Sequence, residues 1–159
     1  LAHRERSPLR EKTSMKDARV FVDTNILVYA YDLSAGDKHD KAKEIIKNLW
    51  STGEGLINTQ VAQEFFVTVT RKIAKPLGLG QAREIVKDLL QWKTITVDGP
   101  LIVDAITIQE KYRYSFCDSL IIASAVEGGA AVIISEDLSD KQKIKNVTIS
   151  NPFAEKAAK

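Results

Sequence analysis

The chain has 159 residues, 44% hydrophobic and 28% charged, which suits one compact domain with a sizeable core and leaves little room for a second. A single cysteine, Cys117, excludes an internal disulfide, and with only His3 and His39 there is no set of zinc ligands at suitable spacing. The net charge is +2, but Arg4, Arg6, Arg10 and Lys12 against Glu5 and Glu11 account for all of it, so global charge is no argument for a nucleic-acid partner.

No apolar run approaches the roughly 20 residues that span a bilayer, and the amino terminus is charged where a secretory leader needs an apolar stretch. The expectation is a soluble, cytoplasmic protein. The only methionine, Met15, stands directly before the first strand pattern. Residues 1–17 therefore read as a flexible charged tail, with Met15 the natural start and the leading segment appended upstream. Residues 18–153 read as one domain and residues 154–159 as a C-terminal tail.

In chain order, residues 19–22 read as a strand and 25–33 as a helix. A second helix is expected over 38–51, where Ala42, Ile45, Ile46 and Leu49 recur at helical spacing. Residues 56–58 form a short strand that feeds a helix over 60–73, whose apolar face includes Val61, Phe65 and Val69. Lys75-Pro-Leu-Gly78 breaks the chain before a helix over 81–91 and a strand over 94–97. Asp98 is read as a cap for a helix over 101–112. A strongly apolar helix over 119–127 ends at Gly128-Gly129, a buried strand follows over 131–135, and residues 147–149 add an edge strand before Pro152. Short β-branched runs alternating with longer periodic ones predict an α/β fold: a central, mostly parallel sheet flanked by helices in a three-layer sandwich.

Ligands of open parallel sheets collect beyond the carboxyl ends of the strands, and acids recur at those places in this chain. Asp23 directly follows the first strand, Glu64 lies in the first turns of the helix after the second, Asp118 heads the apolar helix, and Asp137 follows the strand over 131–135. Gathering carboxylates in a low-dielectric crevice is unfavourable through mutual repulsion, and a hard divalent cation such as magnesium or manganese removes that cost. Such an ion also activates a water and stabilises charge on a phosphodiester, with no histidine or cysteine required. Each acid has a plainer reading. Asp23 and Asp118 are favoured helix caps, Glu64 shares a face with Thr68, Arg71 and Lys72, and Asp137 and Asp140 suit a turn.

The motifs around these acids resemble those of the PIN-domain family. Val22-Asp-Thr-Asn25 is similar to the opening motif, Gln63-Glu-Phe-Phe66 to the helical glutamate motif, and Phe116-Cys-Asp-Ser-Leu-Ile-Ile-Ala-Ser-Ala125 to the third acidic motif. Ser135-Glu-Asp-Leu138 resembles the fourth, and Ile149-Ser-Asn-Pro-Phe153 the closing strand and turn. The resemblance implies that Asp23, Glu64, Asp118 and Asp137 hold one or two magnesium or manganese ions. Asn25 and Ser135 would orient ligands or a water, with a structural role equally open, and Asp140 would be an auxiliary ligand. Glu136, beside Asp137, is a possible substitute for it. Within the family the chain looks most like VapC-type toxins of type II toxin-antitoxin systems, which implies an endoribonuclease, a homodimer and a cognate antitoxin protein. An acidic crevice needs nearby cations to receive RNA, and Arg71, Lys72, Lys75, Lys111 and Arg113 are the candidates. Tyr112, Tyr114 and Phe116 could stack on bases but suit packing better.

The rivals are weaker. A phosphatase of the haloacid dehalogenase type needs a second aspartate where Asn25 stands, and no glycine-rich phosphate loop is present. Two alternatives keep the fold: a nuclease of RNA maturation or quality control, and a non-enzymatic interaction module whose acids are caps.

Overall fold

The computed structural model describes residues 18–154; the leading segment, with Met15 and its basic residues, and residues 155–159 lie outside them. Within the described residues no helix is long and apolar enough to cross a membrane.

Four strands form at apolar, β-branched runs: β1 (Arg19–Val22), β2 (Gly55–Asn58), β4 (Ala130–Ile134) and β6 (Val147–Ser150). Two shorter ones are β3 (Lys93–Ile95) and β5 (Lys143–Ile144). They build one sheet in the order β3-β2-β1-β4-β6-β5, parallel throughout except for β5, which runs antiparallel to β6. The chain lays down β1, β2 and β3 outward to one side and then crosses back to place β4 against the free side of β1. The connections therefore diverge between β1 and β4, and this switch point opens a crevice at the carboxyl ends of the two strands.

The helices are α1 (Thr24–Tyr29), α2 (Asp37–Thr52), α3 (Thr59–Arg71), α4 (Leu79–Leu89), α5 (Gly99–Tyr112) and α6 (Phe116–Glu127). They fall into two packing groups, α1 with α2 and α3 and α3 with α4, and separately α5 with α6, giving the expected layered α/β architecture. Helix α6 is buried along the whole run from Ser119 to Ala125 because α5 lies against it and the sheet receives it through β2, β4 and β6. That double contact explains an apolar helix without a polar face.

Several boundaries move for local reasons. Helix α1 stops at Tyr29, and Asp32, accepting from Ser34 N at 3.0 Å, sets a 3-10 turn at Leu33–Ala35. Helix α5 starts at Gly99, with Asp98 capping it as expected through Leu101 N at 3.1 Å. Helix α6 starts at Phe116, three residues earlier than periodicity suggests. The strand over 147–150 is not an edge: β5, too short to carry a pattern, covers it through a tight turn with Lys145 at φ 55°.

At the start of β2 the backbone of Gly55 lies against the indole of Trp92, which is buried and also meets Trp50 at 5.2 Å between centroids. A methyl group there would overlap the ring. Gly55→Ala is expected to lower stability by about 1–3 kcal/mol, the usual cost of overpacking. Denaturant unfolding followed by tryptophan fluorescence measures it, and an unchanged midpoint would show that Trp92 yields freely.

Candidate functional site

The crevice at the switch point is organised by Asp23. Its amide donates to Ile134 O at 3.0 Å, tying the first residue past β1 to the last of β4, and Ser135 N donates to Ser150 O at 3.1 Å. The Asp23 side chain is only 8% exposed and accepts from Thr24 N at 2.7 Å and from Ser135 Oγ at 2.7 Å. Asp23 is thus the cap of α1 and at the same time the base of the crevice.

The turn after β4 closes around the same groups. Ser135 Oγ, besides donating to Asp23, accepts from Asp137 N at 3.1 Å and Leu138 N at 3.4 Å. Asn25 donates through Nδ2 to Asp137 Oδ2 at 2.9 Å and accepts at Oδ1 from Glu136 N at 3.4 Å. One amide therefore holds both the backbone of the turn and the Asp137 carboxylate. Neither Asn25 nor Ser135 touches its motif acid by chance of sequence; each spans more than a hundred residues to do so.

Burial raises the Asp23 carboxyl from 3.8 to about 6. The bonds from Ser135 and Thr24 oppose this, and the charges of Asp137 and Asp118 push it further up. Asp118 enters from the amino end of α6, half-buried, with its amide on the Ser115 hydroxyl at 3.1 Å. The cap of α6 is thus Ser115, and the reading of Asp118 as a cap gives way to that of an acid in the first turn.

Glu64 is exposed on α3, whose buried stripe is Val61, Ala62, Phe65 and Val69. Among the described residues, no three His, Cys, Asp or Glu side chains converge at direct metal-ligating spacing. The fold thus brings Asp118 and Asp137 within electrostatic reach of Asp23, and Glu64 lies on the flanking helix α3. The donor chemistry fits a hard divalent cation: three carboxylates, and the buried hydroxyls of Thr24 and Ser119, which have no hydrogen-bond partner among the described residues and stand next to Asp23 and Asp118 in sequence.

Glu136, in the bend after β4, turns to partners other than those of Asp137. It accepts from Tyr29 Oη at 2.5 Å and pairs with Lys38 Nζ. Burial pushes its carboxyl up, but the bonds from Lys38 and Tyr29 and the Lys38 charge outweigh it and hold the group below its ordinary value. Asp140 accepts from Asn151 N at 2.8 Å and pins its loop to the segment after β6. Tyr29 and Lys38 carry no sequence signal; their partners lie about a hundred residues away. Arg71, Lys72 and Lys75 are exposed at the end of α3 and its exit, and Lys111 and Arg113 at the end of α5, where Arg113 takes a left-handed φ of 63°. Tyr112, Tyr114 and Phe116 pack, partly buried, against the core, and Tyr114 Oη donates to Gln142.

Two outcomes follow from this geometry. A carboxyl raised on folding contributes stability that is present below its unfolded value and lost as pH rises through the folded one. In chelator-treated protein, Asp23→Asn is therefore expected to stabilise at pH 7.5 by on the order of 2–3 kcal/mol, with the gain vanishing near pH 4. Unfolding curves at the two pH values decide it. For α6, Ser115→Ala should lower stability by about 1 kcal/mol while Asp118→Asn stays within about 0.5 kcal/mol of the parent. The reverse order in thermal denaturation would return the capping role to Asp118.

Residues 20–143 match the model of the PIN domain, a stretch that takes in all four acids. Among curated proteins no sequence matches. Solved structures sharing the fold include a toxin-antitoxin complex from Klebsiella pneumoniae, at 20% identity and TM-score 0.62 over 86% of this chain and 98% of that one. A DNA-bound VapBC from Salmonella typhimurium aligns at 14% identity and TM-score 0.58, over 85% and 98% of the two chains. A VapC toxin from Mycobacterium tuberculosis, described as cleaving the sarcin-ricin loop, aligns at 20% identity and TM-score 0.53, over 72% and 86%. At these identities the likeness is one of fold. With the family model matched over residues 20–143, most of its length, the chain belongs to the PIN-domain family.

Proposed function

We propose that this protein is a magnesium- or manganese-dependent endoribonuclease and the toxin of a toxin-antitoxin pair. The observation that carries the reading is Asp23: a buried carboxylate at the switch point, raised to about 6 and pressed by the charges of Asp137 and Asp118. Such an arrangement is unfavourable without a function to maintain it. Asp23, Asp118 and Asp137 would hold one or two ions, with Glu64 reaching in from α3. The bound ion supplies an activated water and charge stabilisation at the phosphodiester.

The chain's own groups do the rest. Ser135 and Thr24 orient the Asp23 carboxylate, and Asn25 orients that of Asp137. Arg71, Lys72, Lys75, Lys111 and Arg113, all exposed, receive the phosphate backbone that the acids alone would repel. The fold shared with toxin-antitoxin complexes and with a toxin that cleaves the sarcin-ricin loop supports structured RNA as substrate and an antitoxin protein as partner. The family resemblance carried by the motifs further implies a homodimer, and we place it in the cytoplasm.

Cleavage of total cellular RNA by the parent and Asp118→Asn, each with magnesium, manganese or chelator, tests the reading. Metal-dependent cutting by the parent, reduced about a hundredfold or more by the substitution, is expected. Equal cutting by both, or cutting in chelator, would overturn it.

A further inference from the structure

Glu136 and Asp137 are consecutive acids on the turn leaving β4, and their carboxylates offer a cation the same oxygen chemistry. The structure treats them differently. Asp137 meets Asn25 at the crevice, whereas Glu136 enters a corner built from three places far apart in sequence: Tyr29 at the end of α1, Lys38 in the first turn of α2, and Phe153 after β6. The Tyr29 and Phe153 rings meet edge to face at 5.4 Å and 85°. Lys38 Nζ lies 5.2 Å from the Tyr29 centroid and 5.6 Å from that of Phe153, so its ammonium is held by aromatic faces as well as by the carboxylate. His39 Nδ1, 2.9 Å from Tyr29 O, ties the start of α2 to the end of α1 and keeps the two Glu136 partners in one unit.

We propose that Lys38 and Tyr29 are positioning residues that withhold Glu136 from the acidic crevice, so that Asp137 is the one acid of the pair that faces Asp23. The inference rests on the metal-dependent reading for its consequence, but the clamp itself is a property of the chain. Charge-assisted bonds are about twice as strong as neutral ones, and Glu136 would have to break one from Lys38, and a second bond from Tyr29, to swing inward. The side chains of Lys38 and Glu136 are 44% and 23% exposed, so the pair lies at the surface rather than locked within the core. Released, it would bring a further negative charge toward a carboxylate already pressed by two others.

Calorimetric titration of manganese into metal-free protein tests the choice between the two acids. Glu136→Gln should bind within about threefold of the parent and Asp137→Asn at least about tenfold more weakly. Adding Lys38→Met to Asp137→Asn should restore binding to within about threefold of the parent, because the freed Glu136 takes the vacant role, and adding Glu136→Gln to that pair should remove it again. A double variant as weak as Asp137→Asn, or a triple variant as tight as the double, would overturn the proposal. If the parent itself binds no manganese, the metal reading fails, and amide exchange of residues 136–138 in metal-free protein judges the clamp alone. Exchange about tenfold faster in Lys38→Met, but not in Lys38→Arg, supports withholding, and unchanged exchange in Lys38→Met overturns it.

Discussion

A carboxylate buried at the junction of β1 and β4 is the constraint on which the site depends. Asp23 sits where the two strands are tied end to end by its own amide on Ile134, and its side chain takes hydrogen bonds from both the helix it caps and the turn leaving β4. Burial works against its charge, and the two nearby aspartates add to that cost. Ordinary capping does not require any of this, since exposed caps such as Asp98 do the same work on α5 at the surface. The unfavourable placement is what distinguishes a site from a helix start.

The surrounding polar groups are arranged to tolerate that charge and to aim its neighbours. Ser135 is fully buried yet satisfied, with its hydroxyl donating to Asp23 and receiving two amides of the following turn. Asn25 does the equivalent for Asp137. Helix α6 delivers Asp118 from the opposite packing group, and its rigid burial from Ser119 onward fixes where that acid emerges. Strands, turn and helix thus converge on one crevice although their contributions are spread from residue 23 to residue 137.

Glu136 illustrates why two adjacent acids are not interchangeable. In the bend beyond β4 they meet different partners: Asn25 takes Asp137, and the corner formed by Tyr29, Lys38 and Phe153 gives Glu136 a partner of opposite charge. Asp140 is drawn off likewise to Asn151. The acids of this region are sorted by their partners.

Much of this protein is legible in its amino-acid sequence alone. Alternating periodicities specify the α/β class, β1, β2, β4, α2 and α3 to within a few residues, and the strand-end positions of Asp23 and Asp137, because period and burial are local consequences of which residues are apolar. The motifs around Asp23, Glu64, Asp118 and Asp137 point to the family because motif spacing is itself a one-dimensional property. Three matters needed tertiary structure. The strand order, with its switch point between β1 and β4, depends on crossovers that no local pattern encodes. The cap of α6 at Ser115 rather than Asp118, and the two-residue β5, depend on hydrogen bonds too short in sequence extent to leave a period. The separation of Glu136 from Asp137 depends on contacts between side chains about a hundred residues apart, and so only the folded chain could decide it.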